Sequence, residues 1–387
     1  MRTTPLPVCH ISAGVPVLVG ASAGHFWFSD LKRMASGRIL CCVGTLPDKP
    51  ADPGHSARVL FSDDRGQTWR EHPEQIIPGA SNISLPDGRL LILPARVKPV
   101  SPGGRREARG EGAILREAPD GGLSVEATEI TFRGFPFDLE HNHLSGAIMF
   151  RLAVCSNALP LNDGRLLITP YGRIAGEDKV NIFAMTSDDG GFSWQYLSTV
   201  ATWRDYSESD WPLSIGTQYV GPNESNTVRL SDGRIMCVFR VGTRVPYGRS
   251  YSSDDGLTWS RPDRVDGPWS VMPRMVRLEN GLIALVGGRE GILVWLSPDG
   301  DSWEQCNLAA HHNAAFPDAS LHYSDRVLQM QQRGPLHETT SYNGIVALGP
   351  DELLVSYDRL GNGLDGSPGP NGPVDAVFAV RVKAERR

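Results

Sequence analysis

The sequence predicts an all-β fold, a six-bladed β-propeller with four-stranded antiparallel blades that forms a single domain over residues 1–387. Two repeats carry this prediction: a turn of the Asp-Gly-Arg type followed by an apolar strand, and a shorter hairpin motif built around an aspartate. The composition agrees with it. The 42 glycines and 29 prolines indicate many turns and short strands rather than long helices.

The first repeat joins a tight turn to an apolar strand. Its six copies lie at 35–43, 86–94, 162–170, 231–239, 279–287 and 350–358. Glycine at the turn supplies the positive φ that a tight hairpin needs, and the apolar run behind it is typical of a buried strand. Six copies predict six sheets. The last apolar segment, 376–382, is expected to close the ring by pairing with the first blade or near 15–20.

The second repeat has the pattern S-x-D-x-G-x-[ST]-W. Three near-complete copies, a fourth that is one residue short and a degraded fifth lie at 62–69, 187–194, 252–259, 297–303 and 117–125. The aspartate and hydroxyl side chains of such an octet satisfy turn N–H groups, and its tryptophan packs beside the hairpin. These octets resemble the Asp boxes, or BNR repeats, of the sialidase (neuraminidase) superfamily. The resemblance implies structural roles, so Asp64, Asp189 and Asp255 are not expected to be catalytic.

Composition and charge limit the classes of partner that we expect this protein to bind. A net charge of −6 argues against nucleic-acid or anionic-membrane partners, which require a basic face. No apolar run reaches the length of a membrane span and no signal-peptide pattern opens the chain, so we expect a cytoplasmic protein, or a secreted one if a signal was removed. The six cysteines lack CxxC spacing, which predicts reduced, buried thiols and no metal site. No cofactor is expected, and homo-oligomerisation stays open.

Three segments are similar to active-site stretches of sialidases. In NESNTVRLSDGRIMCVFR the resemblance makes Glu224 the base for a tyrosine and Arg240 a ligand of the substrate carboxylate. Arg289, before a strand that leads into an Asp box, resembles the family's third arginine. Tyr342 in TTSYNG is the implied nucleophile, and it needs an adjacent base because a neutral phenol has a pKa of about 10. A cross-strand ion pair, a rim arginine and a packed aromatic ring are the respective alternatives.

A fourth segment also resembles the family, whereas one position differs from the family pattern. Family members carry an acid/base aspartate in the loop before the first Asp box, where Asp52 fits best and Asp48 second. Trp27 occupies the expected position of the first family arginine. Losing one bidentate carboxylate contact would be costly, so free sialic acid is not expected as the ligand. A tryptophan at this position would suit stacking on a sugar face.

Several histidines add possible substrate contacts. His55 lies beside the proposed acid loop, His143 lies in a long connection, and His337 precedes Tyr342 by five residues. Some sialidase-like propellers cleave uronate linkages as lyases, in which a histidine or tyrosine removes the proton next to the carboxylate.

Together these residues predict a carbohydrate-active enzyme. The preferred hypothesis is an exo-acting, retaining glycoside hydrolase of sialidase type that acts on a terminal acidic sugar of a glycan or polysaccharide, with Tyr342, Glu224 and Asp52 as the catalytic groups. The first alternative is a polysaccharide lyase that cleaves a rhamnosyl-glucuronate type linkage through histidine and tyrosine. The second is a non-catalytic propeller that binds a glycan or a protein.

Overall fold

The computed structural model describes a protein made almost entirely of strands. The described residues are 9–46, 57–76, 79, 81–99, 106–135, 152–174, 176–177, 179–206, 211, 221–331, 337–364 and 372–386. Within them the helices are α1 (Leu308–Ala315) and α2 (Asp325–Leu328), with single 3-10 turns at Trp203–Asp205 and Ala319–Leu321. None of these helices is long and apolar enough to cross a membrane.

The strands follow one another at short intervals. In the first half of the chain they are β1 (Cys9–Ala13), β2 (Val17–Ala23), β3 (Trp27–Arg33), β4 (Ile39–Gly44), β5 (Ala57–Ser62), β6 (Arg70–Glu71), β7 (Asn82–Ser84), β8 (Leu90–Ile92), β9 (Arg96–Pro99), β10 (Glu107–Glu117), β11 (Leu123–Arg133), β12 (Leu152–Ala153), β13 (Leu159–Pro160), β14 (Leu166–Ile168), β15 (Tyr171–Gly172), β16 (Asn181–Ser187) and β17 (Ser193–Ala201). In the second half they are β18 (Asn223–Arg229), β19 (Ile235–Arg240), β20 (Pro246–Ser252), β21 (Asp263–Trp269), β22 (Arg274–Arg277), β23 (Ile283–Gly287), β24 (Leu293–Ser297), β25 (Glu304–Asn307), β26 (Gly344–Ala347), β27 (Glu352–Arg359) and β28 (Val374–Arg386).

These strands form five sheets, and the all-β prediction is confirmed. Three sheets have four consecutive strands, β3 to β6, β18 to β21 and β22 to β25. Their pairings are antiparallel throughout. The fifth sheet differs from the prediction because it has eleven strands. Its two halves are joined where β11 pairs in parallel with β17 and where β9 bridges β10 to β12.

The fourth sheet joins the two ends of the described chain. Its longest strand, β28, pairs with β27 on one side and with both β1 and β2 on the other. Val17 lies opposite Ala379 and Ala21 lies opposite Ala376. The prediction that 376–382 pairs with the segment at 15–20 is confirmed.

The six recurring turns connect the first and second strands of six hairpins. The pairs are β3–β4, β7–β8, β13–β14, β18–β19, β22–β23 and β26–β27. In the copy at 231–239, Gly233 has φ 92° and donates its N–H to the Leu230 carbonyl at 3.1 Å. The second strands, such as ILCCVG and IMCVFR, are buried along their length because both of their faces are covered.

The Asp boxes are closed hairpin turns, as their pattern predicts. Asp64 accepts hydrogen bonds from the Thr68 N–H at 2.9 Å and from the Thr68 hydroxyl at 2.6 Å. Asp189 makes the same pair of bonds with Ser193. The shortened fourth copy keeps its aspartate–backbone contacts, whereas Asp120 of the degraded copy accepts, within the described part of the chain, from the Gly122 N–H alone.

In the third box the structural aspartate is Asp254, and the assignment to Asp255 from the sequence is wrong. Asp254 accepts from the N–H and the hydroxyl of Thr258 at 2.9 and 2.6 Å. Asp255 instead has a positive φ of 54°, and its carboxylate pairs with Arg229 at 2.9 Å. Two serines open this octet, and counting from the second one selects Asp255, whereas the motif begins at Ser252 and uses Asp254.

Substitutions of Asp254 and Asp255 should differ in their effect on the free energy of unfolding. Asp254→Ala removes three hydrogen bonds of the turn and should lower the free energy of unfolding by about 2 kcal/mol. Asp255→Asn is the control, because asparagine tolerates positive φ and the lost partner is a partly exposed ion pair, so its cost should be at most about 1 kcal/mol. Urea denaturation of both variants measures the difference, and equal effects would contradict the assignment.

The first strand of each hairpin faces a central channel. One cavity of about 820 Å³ is lined by residues from all six of these strands, β3, β7, β13, β18, β22 and β26. Side chains, rather than a β-ladder, connect these strands and their preceding loops in a polar belt. Its five contacts are Lys32 to Gly79, Ser81 to Ser156, Asn157 to Thr227, Asn226 to Met275 and Arg274 to Asp30.

The cysteines are unpaired thiols, as predicted. Cys41 and Cys237 lie in the central strands of their sheets, and burial raises the pKa of both thiols. Five of the six are buried, and Cys306 is half-buried.

Candidate active site

Three predicted site residues meet at one end of the channel. The Tyr342 hydroxyl donates to the Glu224 carboxylate, with an Oη–Oε1 distance of 2.5 Å. Arg240 donates from Nη1 to both carboxylate oxygens, at 3.2 and 3.1 Å, and to the Tyr342 hydroxyl at 3.2 Å. The structure therefore brings together groups from the start of β18, the end of β19 and the loop before β26.

A local irregularity of the backbone turns the Glu224 side chain toward Arg240 and Tyr342. The β18–β19 ladder pairs Asn223 with Arg240 and then shifts register at Ser225, so Glu224 is the extra residue of a β-bulge, with φ 45°. Its second oxygen accepts the Met272 N–H at 3.0 Å. A bulge is a common means of redirecting one side chain next to a functional site.

The electrostatics favour an ionised glutamate beside a neutral tyrosine. Burial opposes ionisation of Glu224, but the Arg240 charge and hydrogen bonds from Tyr342 and Met272 lower its pKa below the usual value. Burial and the neighbouring Glu224 charge raise the pKa of Tyr342 well above its usual value, although Arg240 and Arg289 oppose this shift. The phenol keeps its proton at neutral pH and holds it against a carboxylate that can accept it.

Arg289 lies on the other side of the tyrosine. Its guanidinium is 5.3 Å from the centre of the Tyr342 ring and donates from Nε and Nη2 to the Thr340 carbonyl, at 3.2 and 2.9 Å. Burial and the nearby Arg240 charge lower its pKa. Within the described part of the chain no carboxylate pairs with Arg289. Two guanidinium groups thus flank Tyr342, an arrangement suited to a substrate anion.

The sequence reasoning missed Asp358, which holds the tyrosine loop. This buried carboxylate accepts from the Thr339 hydroxyl and the Thr340 N–H, both at 2.8 Å, from the Thr340 hydroxyl, and from the Phe28 N–H at 3.1 Å. Burial raises its pKa, against the effect of these hydrogen bonds. The one available signal was the acidic residue that ends the segment from Tyr342 through VSYD.

Trp27 does not offer a face to a sugar. Its side chain is 1% exposed, its indole N–H donates to the Leu46 carbonyl at 3.0 Å, and its ring stacks on His25 at 4.3 Å. The expectation of stacking at Trp27 is therefore corrected by its burial. The neighbouring Phe28, at φ 50°, instead packs edge-on against Tyr342 with ring centres 5.0 Å apart.

Of the three histidines predicted to contact the substrate, the structure describes His337 alone. His337 is buried, and burial together with the charges of Arg289, Arg244 and Arg326 lowers its pKa to about 4, so the imidazole is neutral near the site. Asp52, His55 and His143 lie outside the described residues, as does the alternative acid Asp48. No cluster of three or more histidine, cysteine or acidic side chains that could hold a metal occurs among the residues that are described.

Solved structures of low identity share this fold. A protein of unknown function from Dyadobacter fermentans DSM 18053 has a TM-score of 0.61 at 17% identity, covering 99% of this chain and 100% of that chain. An α-L-arabinanase from Penicillium chrysogenum, complexed with arabinobiose, has a TM-score of 0.54 at 15% identity and covers 95% and 98%. The Hadza microbial sialidase Hz136 has a TM-score of 0.53 at 13% identity and covers 94% of this chain and 66% of that one.

Comparison of the sequence itself identifies one family. No curated protein matches the chain. The model of the BNR repeat-like domain family matches residues 137–337, which is more than half of the sequence. With its Asp-box hairpins and the shared architecture, the chain belongs to the BNR repeat-like domain family, within the sialidase-like Asp-box propeller superfamily.

Proposed function

We propose that this protein is an exo-acting, retaining glycoside hydrolase that removes a terminal acidic sugar. The observation that carries the proposal is the 2.5 Å contact between the Tyr342 hydroxyl and the Glu224 carboxylate, with Arg240 and Arg289 on either side. The names of solved relatives with this fold, an arabinanase and a sialidase, support a glycosidase.

In the proposed reaction the tyrosine is the nucleophile. Tyr342 Oη attacks the anomeric carbon as Glu224 accepts the phenol proton, and the bond to the leaving oxygen breaks as an acid protonates that oxygen. We assign the acid to Asp52. Water then attacks the glycosyl-tyrosine, Asp52 takes its proton, and Glu224 returns a proton to the phenolate. A phenol suits this role because a carboxylate nucleophile would repel an anionic sugar.

The two arginines would bind the carboxylate of the sugar. Arg240 already pairs with Glu224. Of the two arginines, Arg289 is the one that has no carboxylate partner among the described residues, so it would be the main ligand of the sugar carboxylate. The ring of Phe28 next to Tyr342 favours a sugar with an apolar face at that side. We propose a uronic acid or another small acidic sugar rather than sialic acid.

A panel of fluorogenic glycosides tests the activity. We expect release from a uronide, with the first-formed sugar retaining its anomeric configuration by NMR. Arg289→Gln should raise KM for the uronide roughly 10- to 100-fold, because a charge-assisted contact to the carboxylate is lost. The neutral glycoside of matching stereochemistry is the control, since its KM should not change. An equal effect on both substrates would contradict the assignment of Arg289.

A lyase is the second candidate. The buried, neutral His337 near Arg289 favours it, because it is a base next to a group that could neutralise a uronate carboxylate. A lyase would form an unsaturated uronate, whose ultraviolet absorbance would grow during turnover. A non-catalytic binder would retain affinity for a glycan without forming any product.

We also propose that the ring has six blades. The eleven-stranded sheet contains two four-stranded runs, β7–β8–β10–β11 and β13–β14–β16–β17, joined by the short strands β9, β12 and β15. Counting these runs separately gives one blade for each of the six recurring turns.

A further inference from the structure

The central channel holds a cavity that lies away from the candidate active site. The cavity of about 820 Å³ lies along the later residues of the six inner strands, toward the end where the recurring turns are found. Tyr342, Glu224, Arg240 and Arg289 do not line it. Asn226, a cavity residue, follows Glu224 by two positions, which is roughly 7 Å along a strand. The two regions are therefore neighbouring but distinct compartments.

The polar belt lies between these compartments. Asp30 pairs with Arg274 at 3.0 Å and also with Lys32, and Lys32 donates to the Gly79 carbonyl at 2.6 Å. The Lys32 side chain is completely buried. These groups bond to one another across the channel, so they form the floor of the cavity rather than part of the candidate active site.

The charge of this cavity is opposite to that of the whole protein. Its cationic lining residues are Lys32, Arg33, Arg229, Arg274 and Arg277. Among the described residues that line it, two are acidic, Asp30 and Glu279, and Arg229 is paired with Asp255 just outside the lining. The chain as a whole has a net charge of −6, so this concentration of positive charge is local. A concave site lined by one sign of charge attracts ligands of the other sign.

Two of the arginines are available to a ligand. Arg33 and Arg277 are exposed, and among the described residues neither has a carboxylate partner; Arg33 donates only to the Ala347 carbonyl, at 3.0 Å. Each follows a member of the Asp30–Arg274 pair by three positions, so both lie about 10 Å farther along their strands, at a similar depth. Asn82 and Ser84 also line the cavity and add neutral hydrogen-bonding groups to it.

We propose that this turn-side cavity binds a small multivalent oxyanion, a molecule with at least two carboxylate or phosphate groups. Arg33 and Arg277 would each take one group, because a guanidinium forms paired hydrogen bonds with either oxyanion. The site is independent of the sugar-binding residues, so occupancy does not require the proposed hydrolase activity.

Isothermal titration calorimetry of the full chain tests this site, with pyrophosphate and citrate as separate probes at matched ionic strength. We expect about one site per chain for at least one probe, and the two probes distinguish phosphate from carboxylate ligands. Arg33→Ala/Arg277→Ala should weaken binding about ten-fold or more. The matched control is Arg109→Ala/Arg133→Ala, which removes the same charge from the exposed β10–β11 ladder and should change Kd less than about two-fold.

A third variant locates the bound anion. Arg289→Gln should leave the Kd of the probe unchanged, because Arg289 belongs to the other compartment. Absence of binding by both probes, unchanged binding by Arg33→Ala/Arg277→Ala, or loss of binding by Arg289→Gln would each overturn the proposal. None of these outcomes depends on whether the protein hydrolyses a glycoside, so the two proposals fail separately.

Discussion

Tyr342→Phe is expected to reduce glycoside hydrolysis by roughly 10³- to 10⁴-fold in kcat/KM. The substitution removes only the hydroxyl that would attack the sugar and that donates to Glu224. The ring contacts with Phe28 and with the Arg289 guanidinium are retained, so substrate binding should change little. Steady-state kinetics on the best substrate of the glycoside panel measures the loss.

Two further measurements make this prediction specific. Tyr196→Phe is the matched control, because among the described residues its hydroxyl forms a hydrogen bond with Thr199 alone, and its activity should stay within about two-fold of the native value. A fluorinated glycoside that slows the second step should label the native protein, and mass spectrometry should locate the sugar on the peptide that contains Tyr342. Retention of more than a tenth of the activity in Tyr342→Phe would exclude the tyrosine as the nucleophile.

Glu224→Gln should impair both catalysis and stability. Glutamine preserves the shape of the side chain but cannot accept the phenol proton, so kcat should fall roughly 10²- to 10⁴-fold. It also leaves the Arg240 guanidinium without its counter-charge in a largely buried position, which should lower the free energy of unfolding by about 3 kcal/mol. Urea denaturation and steady-state kinetics measure the two effects separately.

The double variant Glu224→Gln/Arg240→Met separates charge balance from chemistry. Removing the unpaired guanidinium should restore part of the stability, whereas the activity should stay low because the base is still absent. A double variant that regained activity would show that Glu224 serves only to neutralise Arg240.

The pH dependence follows from the lowered pKa of Glu224. A carboxylate whose pKa is lower in the folded than in the unfolded state contributes stability above the unfolded value of 4.5, and this contribution is lost as the pH falls toward the folded value. The native protein should therefore keep its ionised base, and its activity, at pH values somewhat below 4.5. Glu224→Gln should show a smaller loss of stability over the same acidic range, which denaturation at a series of pH values measures.

The sequence was most informative where a motif determines its own backbone. The octets around Asp64 and Asp189 form their turns from side chains within the octet, so their structure could be predicted locally. The meeting of Glu224 with Arg240 was also predictable, because one hairpin joins them, and the family resemblance added Tyr342. Two successive serines leave two possible starts for the third box, and the hydrogen bonds identify Asp254 as the aspartate that closes it.

Several contacts between distant segments were not predictable. The strands β9, β12 and β15 that merge two runs into one sheet are two to four residues long, too short to produce a hydrophobic period. Asp358 acts through the backbone of Thr340 and of Phe28, and the latter is 330 residues away. The burial of Trp27 likewise depends on which groups cover it, and no sequence pattern encodes that.

The pairing of β28 with β1 and β2 has a consequence for biosynthesis. Its pairing partners include Cys9 with Arg386, residues separated by almost the whole chain. During translation β1 and β2 therefore emerge long before their partner exists, and their sheet is completed only after β28 leaves the ribosome. Ring closure should be a late step, and any nascent chain that stalls before residue 374 would expose unpaired edges that invite aggregation.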